Sequence, residues 1–322
     1  MPSTLRAASD AIPTRLKPPL LVLMNLVLST AFSYFASPWI YKDVTAIQRP
    51  MTSLSDYMGL VGWRIIELMC HWVGGWDATQ AASLVMLSLA PTMHYMHTFQ
   101  PSHSPLIPTL AVVAAGDLLS LYLPLLFLRK SPPDSKSTPA KKENKILDTT
   151  RLLTTLLTST LYQLVLHSTG KKFLVGWLIS SGWDIESVVR VHDAPEGVLL
   201  ARAFLMIPIG WAASEIIFYS PNDATDSAIT TYPPVEKNEG PGEEATGVWA
   251  YILRLWLKSL SPRGRKIVKR TLLVAAYQGV SATVALAGTV KGGDFKGAMG
   301  ISGVWTLATV LVGAVLGWVG NV

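Results

Sequence analysis

The chain has 322 residues, half of them hydrophobic and only 15% charged, with a formal net charge of +6. Soluble domains carry roughly 25% charged residues, and a mean hydropathy of +0.36 leaves more apolar surface than a soluble interior of this size can hide. One cysteine, Cys70, excludes an intramolecular disulfide and the multi-cysteine zinc patterns; its place inside an apolar run predicts a buried, inert thiol.

Residues 1–18 form a polar, basic leader with Arg6, Arg15 and Lys17. The apolar run at 19–37 exceeds a signal-peptide core and lacks a small-x-small cleavage site, so it reads as a retained span. Further runs follow at roughly 57–75, 78–97, 106–128, 147–168, 198–219, 271–290 and 298–319. Each is long enough, or nearly so, to cross about 30 Å of hydrocarbon at 1.5 Å per helical residue. The fold class expected is therefore all-α: a polytopic bundle of about eight transmembrane helices with both termini on one side.

Residues 19–128 hold the first four spans, and 147–219 hold two more with an interfacial segment at 173–188. Two solvated segments, a basic one at 129–146 and an acidic one at 220–247, read as flexible loops. A basic amphipathic stretch at 248–270 follows, then a small-residue-rich hairpin at 271–322. Eighteen basic residues fall on the side of the termini and seven on the other, with Arg64 and Arg202 inside spans. This asymmetry obeys the positive-inside rule with both termini cytoplasmic. An internal membrane of the endoplasmic-reticulum kind is the expected location, with the mitochondrial inner membrane as the alternative.

Prolines 91, 124 and 208 fall within spans, where each frees a carbonyl and bends its helix. Leu60-Val61-Gly62-Trp63 recurs as Leu174-Val175-Gly176-Trp177, a faint internal echo.

Charge inside hydrocarbon is costly and marks the residues of interest. Arg64, Glu67 and His71 share one helical stripe at spacings of three and four. Asp117 lies mid-span behind Gly116 and needs a partner, for which Arg64, His167 and Arg202 are candidates. With Glu215 these seven residues make up a candidate polar intramembrane path. They read equally as packing pairs, with Arg202 and Glu215 reaching for the interface. His94-x-x-His97 is one helical turn, but six histidines in all give no set of metal boxes, and no metal or cofactor is expected. Trp249, Arg254, Trp256 and Lys258 fit a helix lying in the interface against anionic lipid headgroups. The Gly313-x-x-x-Gly317 face permits close helix approach, within the hairpin or between two copies of the chain. Nothing points to nucleic acid, because the basic residues cluster beside the spans.

No motif names a reaction. Three functions fit: a transporter or channel-like protein for a small solute or ion; a membrane scaffold or assembly protein; and an intramembrane enzyme acting on a lipid or isoprenoid, with Asp117 or Glu67 as acid. The reading leans against an enzyme, but intramembrane cyclases need only one or two acids, so the absence of a motif does not exclude one.

Overall fold

A computed structural model describes residues 12–100, 106–129, 149–183, 185–192, 196–219 and 262–319. Every element in them is helical. A short turn of 3₁₀ helix leads into α1 (Lys17–Ile47), followed by α2 (Leu54–Val73), α3 (Ala78–Phe99) and α4 (Leu106–Leu128). Then come α5 (Thr149–Thr169), a π turn at Gly170–Leu174, α6 (Val175–Ser180), α7 (Val189–His192), α8 (Glu196–Leu205) and α9 (Ile207–Ser214). A second π turn (Glu215–Tyr219), α10 (Pro262–Thr289) and α11 (Phe295–Val319) complete the described chain.

Local chemistry accounts for the boundaries. Gly75, at φ 72°, makes the tight turn between α2 and α3. Asp77 then caps α3, accepting from the Gln80 backbone at 2.7 Å while the Gln80 side chain reaches back. Pro208 sits in the first turn of α9, so the run at 198–219 breaks at Met206 and bends by 42°.

α3 is the central helix. Its Leu84, Leu87 and Ala90 join a core with α5, α9, α10 and α11; its Ala78, Ala81 and Val85 join a second core with α1, α2 and α4. Gly210 of α9 lets that helix press on α5: a Cβ there would stand 2.7 Å from the Thr155 carbonyl oxygen and 2.8 Å from the Ser159 nitrogen. Backbone atoms cannot yield, so Gly210→Ala is expected to destabilise by about 1–3 kcal/mol, read as a lowered melting temperature in detergent. Gly176→Ala, at a helical glycine with open space around it, is the control and is expected to be neutral or stabilising.

Four helical stretches, Thr14–Lys42, Pro108–Leu128, Gly264–Thr289 and Phe295–Val319, are long and apolar enough to cross a membrane, five if the bent pair counts as one span. That is fewer than the eight expected from the apolar runs. The remaining runs became α2, α3 and α5, which have the length, at 20, 22 and 21 residues, but not the average hydropathy. The reason is where their polar residues face. α5 buries Thr154, Thr155, Thr158, Ser159 and Gln163 while exposing Leu152, Leu153, Leu156 and Leu164. α2 buries Glu67 and His71 while exposing Leu54, Met58, Ile66 and Val73. These helices are inside out relative to a soluble amphipathic helix. Cys70 lies on that exposed apolar face, not in the interior as its context suggested.

Candidate functional site

The stripe on α2 faces a junction of four helices. Arg64 stands between two carboxylates, with Nη1 at 3.4 Å from Glu67 Oε2 and Nη2 at 3.7 Å from Asp117 Oδ1 of α4. Its Nε donates to Asn25 Oδ1 of α1 at 3.3 Å, and Asn25 Nδ2 donates to Ser120 Oγ of α4 at 3.3 Å. The other oxygen of Glu67 accepts from Ser281 Oγ of α10. One turn further along α2, His71 Nε2 shares a hydrogen bond with the Tyr277 hydroxyl of α10 at 3.0 Å. The Trp76 ring packs against both of these rings.

The end of α2 is held by Arg129, just beyond α4. Its guanidinium donates to the carbonyls of His71, Trp72 and Trp76 and stacks over the Trp72 ring at 5.2 Å. A cation at a helix C-terminus satisfies orphan carbonyls and opposes the negative end of the dipole. Burial lowers the Arg129 pKa from its ordinary value; the three carbonyls are the partners that a partly desolvated guanidinium needs.

A second polar chain runs from an adjacent face of α10. Pro91 has no N–H, which leaves the Leu87 carbonyl of α3 without its helical donor. Gln278 Nε2 donates to that carbonyl at 2.9 Å. Gln278 Oε1 accepts from Thr309 Oγ1 of α11, and Thr309 in turn shares a 2.8 Å hydrogen bond with the Tyr162 hydroxyl of α5. Gln278, Thr309 and Tyr162 are fully buried. The same device recurs at Pro38, where Ser37 Oγ donates to the freed Tyr34 carbonyl at 2.8 Å.

Arg64, Glu67, His71 and Asp117 therefore come together. His167 and Arg202 come together elsewhere, around a cavity of about 20 Å³ shared with His94 and Gln163. Glu215 stands apart from both groups, paired with Arg151 Nη1 at 3.5 Å, whose guanidinium also covers the Tyr219 ring. Trp249, Arg254, Trp256 and Lys258 lie outside the described residues, as do the leader through residue 11, most of the 129–146 loop and the 220–247 loop. Residues 262–270 are the first turns of α10. Gly313 faces Thr271 and Gly317 faces Ile267, both on α10, so this glycine face is used within the hairpin. Among the described residues no three metal-ligating side chains cluster.

Sequence reasoning missed Asn25, Ser120, Tyr277, Gln278, Ser281 and Thr309. Asn25 and Gln278 carry a visible signal, an isolated amide within an apolar run. The hydroxyl residues do not, because Ser and Thr in such helices usually bond their own i−4 carbonyl, as Thr283 and Ser302 do here.

Neither of the two larger hollows is lined by Arg64, Glu67, His71 or Asp117. One of about 300 Å³ is lined by Arg49, Asp56, Leu60 and Gly288 among others, and one of about 380 Å³ lies along the outer face of α10 and α11.

A family model described as the Bouquet formation protein 3 C-terminal domain matches residues 148–319, just over half of the chain. The match starts at α5 and ends with α11, so it takes in Gly210, Gln278, Ser281 and Thr309 but not Arg64 or Asp117. No curated protein and no solved structure matches.

Proposed function

The chain belongs to the Bouquet formation protein 3 C-terminal domain family, and on that premise we propose that it is a multi-pass protein of an internal membrane with a scaffold or assembly role in bouquet formation. The observation that carries this reading is the setting of Arg64. It is tied to both carboxylates and to Asn25, among packed helices, while the larger hollows lie elsewhere. Groups that must exchange a solute or proton with water need access to it; groups that hold α1, α2, α4 and α10 in register need each other.

The inside-out helices support eight crossings. α2 and α5 offer lipid an apolar face and spend their polar face inside the bundle, which is what a spanning helix requires and what an average over all residues conceals. The α2–α3 hairpin and the pair formed by α5 and the bent α8–α9 unit each enter or leave the bilayer together. Dropping either pair leaves the termini on one side, so the charge asymmetry supports cytoplasmic termini at four, six or eight spans.

The test is genetic. Removing the chain is expected to abolish bouquet formation, and a fluorescently tagged copy is expected on an internal membrane. Asp117→Asn is expected to leave abundance and bouquet formation intact, because the Arg64–Glu67 pair survives it. Intact bouquet formation without the chain would overturn the assignment; collapse with Asp117→Asn at normal abundance would return the argument to transport or catalysis.

A further inference from the structure

At one end of the bundle α3, α5 and α8 leave a cluster of cations and histidines with no anion paired to it among the described residues. Arg202 of α8 donates from Nη2 to the Arg190 carbonyl at 2.8 Å. Among the described residues no carboxylate lies within 4.0 Å of it; Glu186 is exposed and is not its partner. Arg190 in turn donates to the His97 carbonyl at 2.7 Å, which fixes both guanidinium groups against backbone. The cavity beside Arg202 is lined by His94, Gln163 and His167. Gln163 is 8% exposed, and its Oε1 has no hydrogen-bond partner; nor has Nδ1 of the partly buried His94, an atom itself shielded from solvent. Buried polar atoms of this kind are normally satisfied, so an orphan pair at one cavity points to a missing occupant.

We infer that this end of the bundle binds the phosphoryl group of a membrane phospholipid. An arginine at the edge of hydrocarbon without a carboxylate needs a counter-charge, and a phosphate oxygen supplies a charge-assisted acceptor. The cavity, at about 20 Å³, admits one oxygen or one bridging water but no more. The phosphate therefore sits at its mouth, on Arg202 and His167, with the orphan atoms of His94 and Gln163 reached through a water inside. Lys171 and Lys172, exposed on the adjoining π turn, extend the positive surface where the rest of a headgroup would lie. By the charge count this is the poorly basic side of the protein. Three of its seven basic residues, Lys171, Lys172 and Arg190, nonetheless gather here. Basic pockets between spanning helices at headgroup level are a recurring form of lipid recognition.

Native mass spectrometry of the full chain in detergent, titrated with phosphatidylglycerol, tests this, with melting temperatures measured beside it in short-chain phosphatidic acid or in inorganic phosphate. The wild type is expected to hold one lipid that Arg202→Gln binds about tenfold more weakly, the loss of roughly one charge-assisted contact. Should Arg202→Gln fail to fold, Lys171→Gln/Lys172→Gln, on an exposed turn, is expected to weaken the same lipid about threefold. Stabilisation by inorganic phosphate as strong as by the lipid, and equally dependent on Arg202, would overturn the lipid in favour of free phosphate. Lipid binding unchanged in a folded Arg202→Gln variant would overturn the site, leaving the cavity to water.

Discussion

Arg64→Leu is expected to be among the most destabilising single substitutions in the protein, costing about 3 kcal/mol, at the low end of the range for breaking a buried ion pair by removing one partner. The leucine fills the volume, so the cost is electrostatic. Glu67, whose side chain is 10% exposed, would keep Ser281 as a donor and lose the cation it is paired with, and Asn25 would lose a donor. Asp117 contributes less: its side chain is 35% exposed and its oxygen is 3.7 Å from the guanidinium, so Asp117→Asn alone is expected to cost less than about 1 kcal/mol. Removing all the charge at once, with Arg64→Leu, Glu67→Leu and Asp117→Asn together, is expected to recover most of the loss, because no charge is then left to be desolvated. Denaturant unfolding in detergent micelles reads all three variants. A loss below about 1 kcal/mol for Arg64→Leu, or a triple variant worse than the single, would show that the cluster is not a packing pair.

The arrangement of Arg64, Glu67 and His71 was legible because helical periodicity alone puts residues at spacings of three and four on one stripe. That Asp117 is close to Arg64 was legible as a need, since a mid-span carboxylate wants a cation, but three cations competed and periodicity cannot rank residues on different helices. The structure joins Asp117 to Arg64 and sends Arg202 and His167 to another place. Average hydropathy counts four or five spans where the apolar runs suggest eight, for a related reason. Hydropathy averages over a helix, while a bilayer reads only the outward face; α5 combines a threonine and serine face toward α9 and α11 with a leucine face outward, and averaging cancels the two. The echo of Leu-Val-Gly-Trp carried no common role. Trp177 donates to the Lys296 carbonyl at 3.0 Å at the start of α11, whereas the indole nitrogen of Trp63 has no partner. Prolines were legible as carbonyls set free, but not what would answer them.

Gln278→Leu is the second large effect expected, about 2–4 kcal/mol, and the identity of its partner makes the prediction specific. In an unbroken helix the Leu87 carbonyl would receive the N–H of residue 91. Pro91 withholds it, and Gln278 supplies the donor from α10. Leucine at 278 keeps the volume but leaves the Leu87 carbonyl and the Thr309 hydroxyl each short of a partner, at about 1–3 kcal/mol for a buried polar group left unsatisfied. Thr309 retains the Trp305 carbonyl and Tyr162, which limits its share. Pro91→Ala restores a backbone donor to Leu87 from within α3. In the Gln278→Leu background it is therefore expected to regain about 1 kcal/mol or more, while in the wild type it removes no needed contact. The two substitutions should be non-additive in a double-mutant cycle, with a coupling energy inside the 0.5–3 kcal/mol range found for residues that share a partner. Additivity within about 0.5 kcal/mol would mean that Gln278 does not answer the proline. The cycle reports on more than one hydrogen bond, because the Gln278–Thr309–Tyr162 chain runs from α3, the helix common to both cores, through α10 and α11 to α5. Loosening it should weaken the contact between the matched region, 148–319, and α3, and limited proteolysis of Gln278→Leu is expected to begin at temperatures where the wild type is still intact.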